Sequence, residues 1–159
     1  MDEEHFWSLI EAAWPKTEQA AHIKSMTFTG VLEDSDELQA FLQGVLGNLN
    51  ADLEKLSRDE LLLFDRILER KLYEIDREEI HAYTDGSDDG FLYCRGFIVI
   101  AGKEYYELVN SNPSKAIMDV WFEDICYSSW HMYQQKYGNM PRSGLSRETG
   151  SNKAGWDND

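Results

Sequence analysis

Residues 84–109 read TDGSDDGFLYCRGFIVIAGKEYYELV, and the choice between strand and helix for the apolar part decides the fold class. The β-branched piece GFIVIAG suits a buried strand, the whole length from Phe91 to Val109 suits a buried helix, and periodicity alone does not separate the two. Length and flanking signals favour helix. Ser87 offers a hydroxyl N-cap, Asp88 and Asp89 put carboxylates into a first turn where the helix dipole is positive, and Asn112-Pro113 closes the segment. One central buried helix over about residues 88–111 is therefore predicted.

The flanking segments carry helical signals of their own. Phe6, Leu9, Ile10, Ala13 and Trp14 share one helical face, which Pro15 ends. Between Lys16 and Asp34 the signals are mixed: Thr17 can cap a short helix through Met26, whereas Thr27 to Val31 reads as extended chain or turn. The run EDSDE at 33–37 supplies Ser35 or Asp36 as the cap of a third helix, with Leu38, Phe41, Leu42, Val45 and Leu46 as its stripe. Gly44 and Gly47 weaken the end of that helix, and a short piece through Leu49, Leu53 and Leu56 follows. Ser57 and Glu60 form a capping box ahead of Leu61, Phe64, Leu68 and Leu72. A short amphipathic segment, IDREEIHAY, then leads into the turn at 84–90. Downstream, Ser114 to Tyr137 reads as one bent helix or two, stopped by Gly138. Beyond Asn139 the composition is that of a linker. The expectation is an all-α, compact single-domain bundle of about six to seven helices over 1–141, followed by a polar Gly/Ser/Asn-rich C-terminal tail at 142–159.

Length and composition agree with one domain. The chain has 159 residues, 42% of them hydrophobic and 13% aromatic, enough apolar area for a real core and unlike an acidic disordered chain. The formal charge of −15 is its most unusual property, and it falls unevenly: residues 1–80 hold 19 acids and 8 bases. A field of that sign repels phosphate backbones and anionic lipid, so neither nucleic acid nor membrane is an expected partner. The two cysteines, Cys94 and Cys126, sit in apolar company and suit a reducing compartment. MDEEHFWSLI places acids where a signal peptide needs bases, so the expected location is cytoplasmic.

Several residues together resemble a known family: Phe6-Trp7, Phe64-Asp65-Arg66, the turn Ser87-Asp88-Asp89-Gly90-Phe91, Tyr93, Arg95, Gly102, Asn112-Pro113, and Tyr133 with Gly138. The pattern resembles the bacterial family called domain of unknown function 4240 over about residues 3–141. That resemblance implies an all-helical domain with GFIVIAG in a helix, and it brings no activity with it. Two departures stand out. Family members usually show a longer apolar stretch with a glycine pair before the turn, and a tryptophan after the arginine, where this chain has HAYTDG and Gly96.

For chemistry, the group Asp65, Arg66, Asp88, Asp89 and Arg95 is the best candidate, because paired carboxylates beside arginines can hold a cation or share a proton. A structural clamp of Asp65, Arg66, Ser87, Asp88, Asp89 and Arg95 explains the same residues more simply: Asp88 and Asp89 sit at a helix start, and Arg66 or Arg95 closes the turn with bidentate pairs. Histidines 5, 22, 81 and 131 are scattered, and the single Glu-x-x-His step at Glu78 and His81 falls short of a dinuclear set. Cys126 and His131 lie five apart, on different faces of a helix. Neither metal nor cofactor is expected, and there is no phosphate loop, dinucleotide fingerprint or nucleophile elbow.

A small acidic domain without a catalytic set suggests a non-enzymatic binder, specifically an immunity protein that neutralises a cognate bacterial toxin through an acidic surface. The expected partner is a basic protein, a toxin domain, met by Glu33, Asp34, Asp36 and Glu37 beside an exposed aromatic anchor. The alternative is a small enzyme or ligand- or metal-binding regulator built on Asp65, Arg66, Asp88, Asp89 and Arg95.

Overall fold

A computed structural model describes residues 1–85 and 87–156; Gly86 of the turn and residues 157–159 of the tail lie outside the described residues. All regular structure among the described residues is helical. The helices are α1 (Glu3–Ala13), α2 (Glu18–Thr29), α3 (Asp36–Leu53), α4 (Arg58–Glu74), α5 (Glu78–His81), α6 (Asp88–Ile100), α7 (Lys103–Ser111) and α8 (Ser128–Tyr137). Three short 3-10 turns, Pro113–Lys115, Asp124–Cys126 and Lys153–Gly155, complete the set.

Local sequence starts most of these helices. Asp2, Thr17, Ser35, Ser57 and Ser87 each turn a side-chain oxygen to the amide three residues on. Each such bond satisfies one of the four amides that a helix start leaves without an intrahelical acceptor. At Ser57 the box closes in both directions, with the Glu60 carboxylate accepting from the Ser57 amide at 3.0 Å. The doubtful stretch after Thr17 is helix as far as Thr29, and Gly30 ends it with φ 73. α3 runs on through Gly44 and Gly47 to Leu53, because Val45, Leu46, Leu49 and Leu53 are all buried on its inner face.

Helix α6 is the centre of the molecule. Phe91, Leu92 and every residue from Cys94 to Ile100 are buried, so α6 is packed around nearly its whole circumference. Each large apolar side chain of this kind contributes on the order of 1.5–3 kcal/mol on burial. α4 packs against α6 and α8, and α1 lies against α3 and α4.

The single helix predicted over 88–111 is two helices. The chain breaks at Gly102, whose φ of +110 lies in the region that favours glycine. Tertiary donors hold the break: the Trp14 indole N–H donates to the Ile100 carbonyl at 2.8 Å, and the Lys24 ammonium donates to that of Ala101. The carbonyls that a continuous helix would use are thereby taken by α1 and α2.

Between α7 and α8 the predicted helix over 114–137 is α-helical only from Ser128. Asp119 has φ 58, and the Phe122 amide donates to the Tyr93 carbonyl at 2.9 Å, which lays the segment along α6 as extended chain. Ile117, Val120, Phe122 and Ile125 are buried all the same, so their apolar spacing serves a segment draped over α6. Gly96 allows that approach: a Cβ there would lie 2.5 Å from the Phe122 carbonyl oxygen and 2.8 Å from the Cys126 sulfur.

Candidate functional site: an acidic face and a strapped cleft

Glu33, Asp34 and Glu37 line a groove of about 430 Å³ between the end of α2 and the start of α3. Its walls include Ile23, Met26, Leu32 and Leu38, and Val31 stands 63% exposed at its edge. Asp36 occupies the first turn of α3 beside the groove, where the helix dipole favours a carboxylate. Carboxylates from 33–37 thus share the lining of an apolar trough with Gln19 and His22 of α2.

The groove is joined to a second surface feature by one side chain. The Gln39 amide donates to Asp34 Oδ1 and to the Trp121 carbonyl oxygen, both at 2.8 Å. Trp121 is 37% exposed, and neighbouring Met118 is 55% exposed. Trp121 also lines a hollow of about 380 Å³ with Asp85, Asp89, Tyr93 and Glu123. Burial, assisted by Glu123, raises the Tyr93 phenol above its ordinary range. One turn of α3 further on, Gln43 donates to Asp124 at 2.5 Å.

At the turn itself, the Asp85 carboxylate accepts from the Ser87 hydroxyl and amide, each at 2.6 Å, and those bonds hold its pKa below the usual carboxylate range. Ser87 in turn caps Gly90, with Asp88 and Asp89 in the first turn.

The expected arginine closure of this turn is corrected, because both arginines point elsewhere. Arg66 donates to the Pro141 and Arg142 carbonyls at 3.0 and 3.4 Å. Arg95 is fully buried, donates to the Leu72 carbonyl at 2.8 Å and to Thr149 Oγ1 at 3.2 Å, and stacks over Phe91 at 4.8 Å. Burial lowers its pKa, with Asp76 opposing the shift. The five residues Asp65, Arg66, Asp88, Asp89 and Arg95 therefore form no common centre.

Asp65 is instead the seat of an arginine from the tail. Arg147 Nη2 donates to Asp65 Oδ2 and to Glu69 Oε2, both at 2.9 Å, and Nη1 donates to the Cys126 carbonyl at 2.7 Å. The Ser129 hydroxyl donates to Asp65 Oδ1 at 2.7 Å, and the guanidinium lies 5.0 Å from the Tyr127 ring. Burial works against the charged form of Arg147, but Asp65 and then Glu69 outweigh it and the pKa is raised. Farther along, the fully buried Asp76 accepts from the amides of Gly150 and Asn152 and from the Trp156 indole, all at 3.0 Å. The composition of a free linker thus conceals a strap: 142–156 lies on α4, α6 and α8 and borders a cavity of about 540 Å³ with Asp65, Glu69, Tyr73 and Trp130.

Sequence reasoning passed over Gln39, Glu69, Asp76, Ser129, Arg147, Thr149 and Trp156. A signal for part of this existed, since Asp65 stands directly beside the apolar stripe of α4 and Asp76 follows Ile75, and a carboxylate at such a position needs donors from elsewhere.

The thiols offer no second site. Cys126 is buried with its sulfur toward the Leu92 carbonyl, and burial pushes both Cys94 and Cys126 up to about 12. His131 packs its ring on Trp130 and Tyr127. Among the described residues, no three His, Cys, Asp or Glu side chains converge as a metal set, and no helix is long and apolar enough to cross a membrane.

No curated protein matches this chain, and no solved structure does. A family model does match, over residues 1–135, and that stretch contains the acidic face, the SDDG turn and the carboxylates Asp65, Glu69 and Asp76 that hold the strap. With its all-helical fold and a match over most of its length, the chain belongs to the family described as protein of unknown function, DUF4240.

Proposed function

We propose that this protein is a cytoplasmic, non-enzymatic binder, an immunity protein that neutralises a cognate bacterial toxin by covering a basic surface of it. One observation carries the reading: the Gln39 amide ties Asp34, on the rim of an apolar acid-lined groove, to the backbone of the partly exposed Trp121. Charge and an aromatic are thereby fixed side by side. Rim carboxylates steer a basic partner during encounter, and an aromatic buried in the complex sets its lifetime. The overall charge of −15 acts in the same direction at longer range.

The reading expects a gene for a basic toxin domain beside this chain's gene, and association kinetics against that domain test it. Asp34→Lys with Asp36→Lys should slow association by about tenfold or more at low salt and flatten its salt dependence. Trp121→Ala should act on dissociation. An unchanged on-rate in the double reversal, with the fold intact by circular dichroism, removes the acidic face from recognition.

A further inference from the structure

The strap is held as a bound peptide is held. Its contacts fall on alternate parts of a linear pattern: the Arg147 guanidinium in the Asp65 and Glu69 carboxylates, the Thr149 hydroxyl on Arg95 and on the Asp88 carbonyl, and the Gly150 and Asn152 amides on the two oxygens of Asp76. At the far end the Trp156 ring packs against His81 and Phe91 at 5.3 and 5.9 Å. Side-chain pockets combined with capture of main-chain amides are the means by which folded domains read extended peptides. The groups named here that receive the strap belong to residues 65–129, inside the stretch that matches the family, while the occupant lies beyond it.

The seat is also incompletely satisfied by its occupant. The Nε of Arg95 is buried without a hydrogen-bond partner, although the same guanidinium reaches the strap through Nη2. A buried donor in that state is a cost that an added acceptor within its reach would remove.

We propose that the cleft formed by α4, α6 and α8 is a binding site for an extended, arginine-bearing peptide segment, and that residues 142–156 occupy it in cis. The site is built from groups other than those of the acidic groove and stands whether or not that groove binds a toxin. A segment of another chain that presents an arginine to Asp65 and Glu69, with free amides three and five residues later for Asp76, competes for it.

Two measurements on the full chain test the proposal. In native-state hydrogen exchange of the unaltered protein, the Gly150 and Asn152 amides should exchange in a separate, faster kinetic class than the amides of α4 and α6, because the strap opens while the domain stays folded. The second uses Arg147→Ala, which empties the guanidinium seat, with a synthetic peptide of residues 142–156 as the probe. At a peptide concentration about 100 times its Kd the thermal midpoint of the variant should rise by roughly 5–10 °C. The same peptide carrying Arg147→Ala should leave it in place. If the variant does not fold alone, recovery of its helical signal with the first peptide and not the second is the corresponding result. Strap amides that exchange only with global unfolding, or equal effects of the two peptides, would overturn the proposal.

Discussion

Arg147 and Asp65, 82 residues apart in sequence, meet as a buried ion pair at 2.9 Å and join the strap to the middle of α4. Both side chains are almost without solvent contact. A pair so placed is stable only while complete, since removal of one partner strands a buried charge. Arg147→Ala should therefore lower unfolding stability by about 3–5 kcal/mol, whereas Asp65→Leu combined with Arg147→Met should cost much less. Urea unfolding of the two variants checks this; equal losses would show that packing, and not the stranded carboxylate, sets the cost.

Close approach at Gly96 gives a second outcome. A methyl group there meets the Phe122 carbonyl and the Cys126 sulfur, and only the latter can turn away. Gly96→Ala should cost about 1–3 kcal/mol despite the better helix propensity of alanine. A stabilised variant would mean that the extended segment at 116–123 lies more loosely on α6.

At the turn, Asp89 has no arginine closing on it, because Arg66 and Arg95 point to the strap and its neighbours. What Asp89→Ala removes is a carboxylate in the first turn of α6, worth about 0.3–1 kcal/mol. A thermal midpoint lowered well beyond that would reveal a partner for the carboxylate outside the described contacts.

Acid should loosen two helix starts. Glu60 is held below its ordinary pKa by the Ser57 amide and hydroxyl, and Asp85 by the hydroxyl and amide of Ser87. A depressed folded pKa gives stability that is complete above the unfolded value and lost as pH falls through the folded one. Stability should thus decline below the usual carboxylate range, and Ser57→Ala together with Ser87→Ala should flatten that decline. Thermal melts from neutral pH down to pH about 3 read the effect.

Burial and a raised pKa of about 12 keep both thiols protonated in the folded protein. Iodoacetamide should label Cys94 and Cys126 only at the rate of opening, and the label should appear together with loss of helical signal. Rapid labelling of the native protein would contradict the packing of α6.

What was legible in the sequence is what neighbouring residues decide. Thr17, Ser35, Ser57 and Ser87 announce helix starts because a cap acts over three residues, and the length of Phe91 to Val109 between the Ser87 cap and Asn112-Pro113 favours helix over strand where periodicity does not decide. The break at Gly102 was hidden, since it depends on donors from Trp14 and Lys24. So was the extended run through Asp119, whose apolar spacing fits a helix equally well. For the candidate site, Glu33, Asp34 and Glu37 stood out by charge, but their link to Trp121 passes through Gln39, 82 residues away in sequence. The strap was least legible of all: Gly, Ser and Asn signal a linker by composition, and only the buried Asp65 and Asp76 hint that something must reach them.

Asp76 also bears on how the chain is made. Its three donors follow it by 74, 76 and 80 residues. At a synthesis rate of about 5–20 residues per second, this carboxylate waits roughly 4–16 s before its last donor exists. Until then it must stay hydrated, so α4 and α6 cannot fully seal around it on the ribosome. The nascent domain is kept ajar at one point until the strap is synthesised, and final closure is timed by translation rather than by collapse.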